Sequence, residues 1–231
     1  MTFPFTEESR MNTPLEGSVC MEVSPKTRFA RIVKNLFDFR QRNQETRFVQ
    51  DHEELVRVVR HLQEGGFVVV LTQGVYDMAH KGHFRYLEKA KAAGDFLVVG
   101  VDSDELTRQR KQKPGEPARP FDAFGDRVEM LLHTRHVDLV TVRDVGARLE
   151  ELVEKIHPDV LIMSKGTKDV DQSHIDHLMK HCGRLEWLVP QSDDSTTARL
   201  SALILTGASQ LAEELHRVIE GFLSRISGTK S

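Results

Sequence analysis

Two histidines three residues apart, His80 and His83, stand where an apolar run gives way to a glycine turn and a helix begins. They close the stretch Leu71-Thr72-Gln73-Gly74-Val75-Tyr76-Asp77-Met78-Ala79-His80-Lys81-Gly82-His83. The run from Phe67 to Leu71 reads as a buried parallel strand. Phe84, Leu87, Ala90 and Lys91 recur at helical spacing, so residues 82–93 read as the helix that follows. A helix N-terminus offers unpaired N–H groups and partial positive charge, which favour an anion. Imidazoles held there can donate hydrogen bonds to phosphoryl oxygens as charge builds in a transition state. The chemistry expected of this stretch is the handling of a nucleotide's phosphates. The plainer alternatives are a structural histidine or half of a zinc site. Zinc needs further ligands nearby, and His174, His177 and His181 form the one other histidine cluster in the chain.

A second constellation, Ser195-Thr196-Thr197, follows Asp193-Asp194 and opens an apolar helix carrying Leu200, Leu203, Ile204 and Leu205. Hydroxyl residues in that place are a helix cap, and a cap and a phosphate cradle use the same donors. Between the two lies the cation-rich segment 108–117, with Arg110, Lys111 and Lys113. One of them could neutralise growing charge, although such a run is also an ordinary solvated surface. Arg127 and Arg135 lie eight residues apart on a helix marked by Val128, Leu131 and Leu132. Their faces are close, so both are expected to point towards one phosphate-rich cleft, with surface ion pairing the alternative for Arg135. Asp104 ends a second strand and Lys165-Gly166 follows a later one. In open α/β sheets, ligands gather outside the carboxyl ends of strands, which suits a substrate or ribose contact; Gly166 can also be a plain turn.

Gly74, Tyr76, Asp77, His80, Gly82 and His83 match the pattern G-x-[FY]-D-x-x-H-x-G-H, and the chain thereby resembles the cytidylyltransferase-like nucleotidyltransferases. Over roughly residues 51–200 it is most similar to the heptose 1-phosphate adenylyltransferase domain of ADP-heptose synthase, with glycerol-3-phosphate cytidylyltransferase second. The similar segments include Phe84 to Ala90, Val98 to Asp104, Arg119-Pro120, Val137-Asp138 and Pro158 to Leu161. Several positions depart from the family. Its T-N-G reads Thr72-Gln73-Gly74, its V-N-S-D reads Val101-Asp102-Ser103-Asp104, and its K-G-G-D segment appears as Lys165-Gly166-Thr167-Lys168-Asp169. The R-T-x-G-I run of cytidylyltransferases is replaced by Gln191-Ser192-Asp193-Asp194, which points away from cytosine.

The resemblance implies a Rossmann-like parallel sheet with helices on both faces, plus N- and C-terminal helical extensions. It implies transfer of a nucleotidyl group from a nucleoside triphosphate, ATP favoured over CTP, to a small phosphorylated sugar or polyol such as heptose 1-phosphate, with release of pyrophosphate and Mg²⁺ as cofactor. His80, His83 and a lysine are then catalytic; the family's lysine falls on Lys111 or Lys113, and Lys113 is the candidate taken. Gln73, Gly74, Val75, Tyr76, Asp77, His80, His83, Arg127, Lys165, Gly166, Ser195, Thr196 and Thr197 are the expected nucleotide contacts. Asp77, Asp104, Arg110 and Arg135 are the expected substrate contacts, and no protein metal site is expected. A second class remains open, a non-catalytic nucleotide-binding regulator on the same fold. The sugar-kinase domain often fused to the heptose branch has no room in this chain.

Strands and helices must alternate to position these residues. Strands are expected near 67–72, 96–101, 137–141, 159–163 and 185–189, and helices near 82–93, 124–134, 146–156, 171–181 and 196–206. Residues 51–64 form a lead-in helix. The core is expected to span 51–206, between an extension at 1–50 and a C-terminal helix at 207–231. Residues 1–24 are polar and expected to be disordered. Residues 25–44 are amphipathic, suited to packing on the core or a second subunit, with a membrane or nucleic-acid surface as the other reading. The tail at 208–226 is a second amphipathic helix, and a homodimer is expected.

Net charge is −3, from 32 basic and 35 acidic residues, so no global field recruits nucleic acid or membrane. Cys20 and Cys182 show no paired spacing, which argues for a reducing compartment. No apolar run approaches the ~20 residues of a membrane span, and no secretory leader is visible, so a cytoplasmic enzyme is expected.

Overall fold

Five runs rich in aliphatic residues lie side by side as parallel strands, and the helices between them carry the chain back across the two faces. The computed structural model describes residues 25–37, 44–112, 118–146, 148, 150–166, 170–191 and 196–227. The order is α1 (Pro25–Phe37), α2 (Gln44–Arg47), α3 (His52–Glu64), β1 (Val69–Gly74), α4 (Lys81–Lys91), β2 (Phe96–Asp102), α5 (Asp104–Lys111), α6 (Phe124–His133), β3 (Leu139–Arg143), α7 (Glu151–Ile156), β4 (Val160–Ser164), α8 (Gln172–Met179), β5 (Arg184–Leu188) and α9 (Thr196–Ser227). The sheet runs β3-β2-β1-β4-β5, all parallel. This is the Rossmann-like arrangement expected. From β1 the chain first winds outward through β2 and β3, then returns to lay β4 on the other side of β1. A crevice therefore opens at the carboxyl ends of β1 and β4, where doubly wound sheets bind ligands.

Alternate side chains of each strand feed two separate cores. Val69, Leu71, Phe96, Val98, Leu139, Leu161 and Met163 meet Ile32 and Leu36 of α1, Leu55, Val58, Val59 and Leu62 of α3, and Leu152, Val153 and Ile156 of α7. Val70, Leu97, Val99, Val101, Val140, Val160 and Ile162 meet Leu87 and Ala90 of α4 and Val128, Leu131 and Leu132 of α6. Burying one such aliphatic side chain contributes about 1.5–3 kcal/mol, so both faces fix the strand register. The amphipathic stripe of α1 is thus spent on the core. Gly94 allows the turn into β2 to press against β1, since a Cβ there would lie 2.7 Å from Val70 Cγ2.

Several boundaries differ from expectation. β1 starts at Val69 rather than 67, because Gly65, Gly66 and Phe67 close α3, with Phe67 N donating to Leu62 O at 3.1 Å. The helix expected from 146 begins at Glu151. Part of the cation-rich segment is the helix α5, capped by the Ser103 side chain accepting from Leu106 N at 3.2 Å. The helices expected at 196–206 and 208–226 run as one, because Gly207 continues the helix instead of ending it. Residues 1–24, expected to be disordered, lie outside the described residues. Among the described residues, no helix is long and apolar enough to cross a membrane.

Candidate active site

The segment after β1 is built around two strained residues and one carboxylate. Tyr76 (φ 57°) and Met78 (φ 46°) both take left-handed backbone, which costs an ordinary residue roughly 1–2 kcal/mol. Asp77, between them, holds the conformation. Its Oδ1 accepts from Phe121 N (2.8 Å) and Asp122 N (3.0 Å), and its Oδ2 accepts from Arg119 Nη1 (2.9 Å). Asp122 answers by accepting from Met78 N at 2.7 Å. The 75–78 turn is thereby tied to the 119–122 segment, and Asp77 is buried as the knot. Gly74 leaves room for the Tyr76 ring, which a Cβ would approach to 3.2 Å.

The turn delivers the two histidines to the start of α4 in a fixed orientation. His80 is the N-cap, and its Nδ1 accepts from Gly82 N at 3.1 Å. His83 reaches back, its Nδ1 accepting from His80 N at 3.3 Å, to complete a capping box. A neutral imidazole whose Nδ1 accepts carries its proton on Nε2. Both rings thus carry their proton on Nε2 at a helix N-terminus, with ring centroids 4.3 Å apart. His83 stays neutral well into the acid range. Desolvation, then His80, then Lys111 lower its pKa from 6.5 to about 4, against a small opposing effect of Asp77. Burial pushes the Tyr76 hydroxyl, whose ring packs 5.8 Å from that of His83, well above its usual range.

A second charge cluster lines the carboxyl ends of β2 and β3. Asp102 is fully buried, accepting from Arg110 Nη1 at 2.9 Å and Arg143 Nε at 2.7 Å. Lys111 ends α5 beside this pair. Desolvation lowers its pKa, Arg110 and Arg119 add to the shift, and Asp102 and Asp77 oppose it. Much of the Lys111 side chain is still exposed, so its ammonium remains available to an anion. Its positive charge also helps to hold His83 neutral. Lys113 lies outside the described residues, so Lys111 is the described lysine of this segment nearest the histidines.

The remaining candidates separate sharply. Gln73 and Gly74 end β1, and Val75 follows in the turn. Arg127 is fully buried and braces loops: Nε donates to Asp122 O (3.0 Å), Nη1 to Val75 O (2.6 Å) and Asp102 O (2.8 Å), and Nη2 to Asp104 Oδ1 (2.7 Å). These bonds run to protein and give Arg127 a bracing role beside its expected nucleotide contact. Asp104 is the other half of that brace. Arg110 is held by Asp102 but one third exposed at the crevice. Arg135 follows the far end of α6, 80% exposed beside Glu88, at the amino edge of the sheet. It therefore does not join Arg127 in one cleft. Eight residues bring two side chains to nearby faces of a helix but separate them by about 12 Å along it. Lys165 and Gly166 follow β4 on the crevice side, with Lys165 N donating to Leu188 O at 2.9 Å. Thr196 and Thr197 open α9. Ser195 and the Gln191-Asp194 segment beyond Gln191 lie outside the described residues.

Sequence reasoning missed Arg119, Asp122 and Arg143. Each works through a partner more than 40 positions away in the chain, so no local spacing announces it. The nearest signal was a charged residue inside an apolar stretch, as with Asp102 closing β2.

Among the described residues, no group in this arrangement is poised as a covalent nucleophile by an adjacent base. It supplies neutral N–H donors, a helix N-terminus and cations at a sheet crevice, which suits binding and charge stabilisation of a polyphosphate. Curated relatives include Bifunctional protein HldE of Desulfatibacillum aliphaticivorans, 32% identical over 155 residues, covering 67% of this chain and 30% of that protein. HldE of Nitratiruptor sp. is 36% identical over 115 residues, covering 50% and 24%. The chain thus spans under a third of the length of these relatives. Among solved structures, a lipopolysaccharide core biosynthesis protein from Thermoplasma volcanium aligns at a TM-score of 0.46 and 23% identity, over 53% of this chain and 97% of that one. The Cytidylyltransferase-like family model matches residues 71–228, from within β1 through α9, and the chain belongs to this family of nucleotidyltransferases.

Proposed function

We propose that this chain transfers an adenylyl group from ATP to the phosphate of a small phosphorylated sugar, with heptose 1-phosphate the favoured acceptor. The observation that carries the reading is the pair of imidazoles, 4.3 Å apart, that the capping box fixes at the carboxyl end of β1. An acceptor phosphate oxygen attacks the α-phosphorus in line, a new P–O bond forms, the bond to the β-phosphate oxygen breaks, and pyrophosphate leaves. His80 and His83 donate to α- and β-phosphate oxygens where negative charge grows, and the helix N-terminus adds its field. Lys111 and Arg110 compensate the departing pyrophosphate, Thr196 and Thr197 cradle the triphosphate, and Lys165-Gly166 borders the nucleotide.

Mg²⁺ fits as a cation that arrives on the triphosphate. Among the described residues, the carboxylates Asp77, Asp102, Asp104 and Asp122 already hold cations or backbone amides: Asp77 with Arg119, Asp102 with Arg110 and Arg143, Asp104 with Arg127, Asp122 with Met78 N. Mg²⁺ would then be held through the triphosphate, with few protein ligands of its own, and would offset phosphate charge. A homodimer is part of the same proposal. Ile204, Ala208, Leu211, Leu215, Val218 and Phe222 alternate at spacings of four and three along α9, a heptad seam, and the large ones are about half to two-thirds exposed.

The test is a pyrophosphate-release screen with Mg²⁺, crossing ATP, CTP, GTP and UTP with heptose 1-phosphate, glycerol 3-phosphate and other small phosphomonoesters. Release with ATP and a sugar phosphate is the expected result. Release with CTP and glycerol 3-phosphate alone would replace base and acceptor. Silence, together with absence of nucleotide binding by calorimetry, would overturn the enzyme reading.

A further inference from the structure

His177 and His181, unused by the nucleotide site, meet a carboxylate at the opposite edge of the sheet. His177 lies in the last turn of α8 and His181 follows four residues later, still turned by His181 N donating to Leu178 O at 3.0 Å. α7 brings Glu154 beside them, and one ligand atom from each of the three lies within 4.8 Å of the others. His177 Nε2 is 2.7 Å from Glu154 Oε1, and the two imidazole centroids are 4.9 Å apart. The Nδ1 atom of His181 is buried and makes no hydrogen bond among the described residues. A third imidazole, His157, holds a left-handed backbone (φ 48°) at the end of α7, with its ring 5.2 Å from that of His181. His174, by contrast, is engaged by Asp171 at 2.7 Å and lies outside the cluster.

We propose that Glu154, His177 and His181 bind one zinc ion, with His157 placed to become the fourth ligand, clamping α7 to α8. Imidazole nitrogens with one carboxylate oxygen are a donor set that zinc accepts in tetrahedral geometry. Zn–N bonds of about 2.0–2.1 Å set tetrahedral ligand atoms about 3.4 Å apart, so binding asks the three ligand atoms, now within 4.8 Å of one another, to draw somewhat closer. The lone competitor among the described residues is Arg148, whose Nη2 is 3.0 Å from both Glu154 oxygens. Its side chain is 65% exposed and is free to keep one oxygen while the metal takes the other. The α7 and α8 ends lead into β4 and β5, so the ion would sit at the amino edge of the sheet, away from the nucleotide crevice. The proposal is independent of the choice of nucleotide or acceptor.

The experiment uses the full chain stripped of metal, titrated with Zn²⁺ against a chromophoric chelator, and with Co²⁺ as a spectroscopic substitute. One equivalent of zinc held against the chelator is expected, with visible Co²⁺ bands of the intense tetrahedral type. His181→Ala and Glu154→Gln should each weaken zinc at least about 100-fold, since even supporting groups around a metal are worth 10–100-fold. His174→Ala should leave affinity unchanged. Glu154 is partly exposed, so its variant serves if His181→Ala fails to fold. Zinc affinity unaltered in both variants would overturn the site, as would loss of binding only in a His80→Ala, His83→Ala double variant, or failure of the wild-type chain to compete with the chelator.

Discussion

Replacing His83 by glutamine separates the two jobs that this residue performs. At N3 of α4, His83 caps the helix through Nδ1 and presents Nε2–H to the crevice. Glutamine is a standard residue at that position of a capping box, so His83→Gln keeps an acceptor for the His80 amide. Its amide N–H groups sit on the same carbon as the capping oxygen, so with that oxygen turned to the His80 amide they are aimed away from the place of the imidazole Nε2–H. His83→Ala loses both. Losing the cap costs about 1 kcal/mol, which lowers the melting temperature of a chain this size by roughly 2–4 °C. Losing one preorganised donor to transition-state charge costs about 2.7–4 kcal/mol, or 10²–10³ in turnover. His83→Gln should therefore melt near wild type at pH 7 and turn over at least about 100-fold more slowly. His83→Ala should show the same rate loss and also melt lower. The assay pairs thermal unfolding with pyrophosphate release under saturating nucleotide. A His83→Gln enzyme within threefold of wild-type kcat would refute the donor assignment, and a large drop in its melting temperature would refute the separation of cap from donor.

Three further outcomes follow from the same geometry. Because His83 titrates near 4 when folded and near 6.5 when unfolded, the unfolded chain binds more protons between those values. The stability tied to neutral His83 is present above pH 6.5 and lost as pH falls towards 4, by at most about 3 kcal/mol, less solvent screening of the partly exposed ring; urea midpoints at pH 7 and 4.5 should converge in His83→Gln, and equal pH slopes in variant and wild type would count against the shift. Arg127→Ala strands the buried Asp102 and Val75 carbonyls and the Asp104 carboxylate, so urea unfolding should show a loss of about 3–5 kcal/mol, whereas unchanged stability with a raised nucleotide KM would restore it as a nucleotide ligand. Thr196→Ala should chiefly weaken triphosphate binding measured by calorimetry, and unchanged affinity would leave Thr196 a helix cap alone.

The parts legible in the sequence were those whose signal is local. The apolar run into β1, the glycine turn and the histidine spacing lie within a few residues of each other, and the alternation of strands and helices follows from periodicity. Gly207 shows the limit: a glycine in an apolar helical pattern reads as a stop, yet the structure carries α9 through it. The Asp77 knot and the Arg127 brace were hidden for a different reason. Both join segments 20 to 50 residues apart, and a charged residue in a sequence does not declare whether it faces solvent, substrate or backbone carbonyls. For Arg135 and Arg127, a shared helical face is legible in the spacing, whereas their separation of about 12 Å along the axis is not a property of the face.

Phosphorus NMR of the reaction itself tests the central claim most directly. ATP, Mg²⁺ and heptose 1-phosphate are incubated with the full chain, and the phosphorus resonances are followed over time. Attack at the α-phosphorus predicts pyrophosphate together with a new diphosphate diester, formed in equal amounts and lost in His80→Ala. Formation of ADP, which marks cleavage between the β- and γ-phosphates, or ATP left intact, would contradict it.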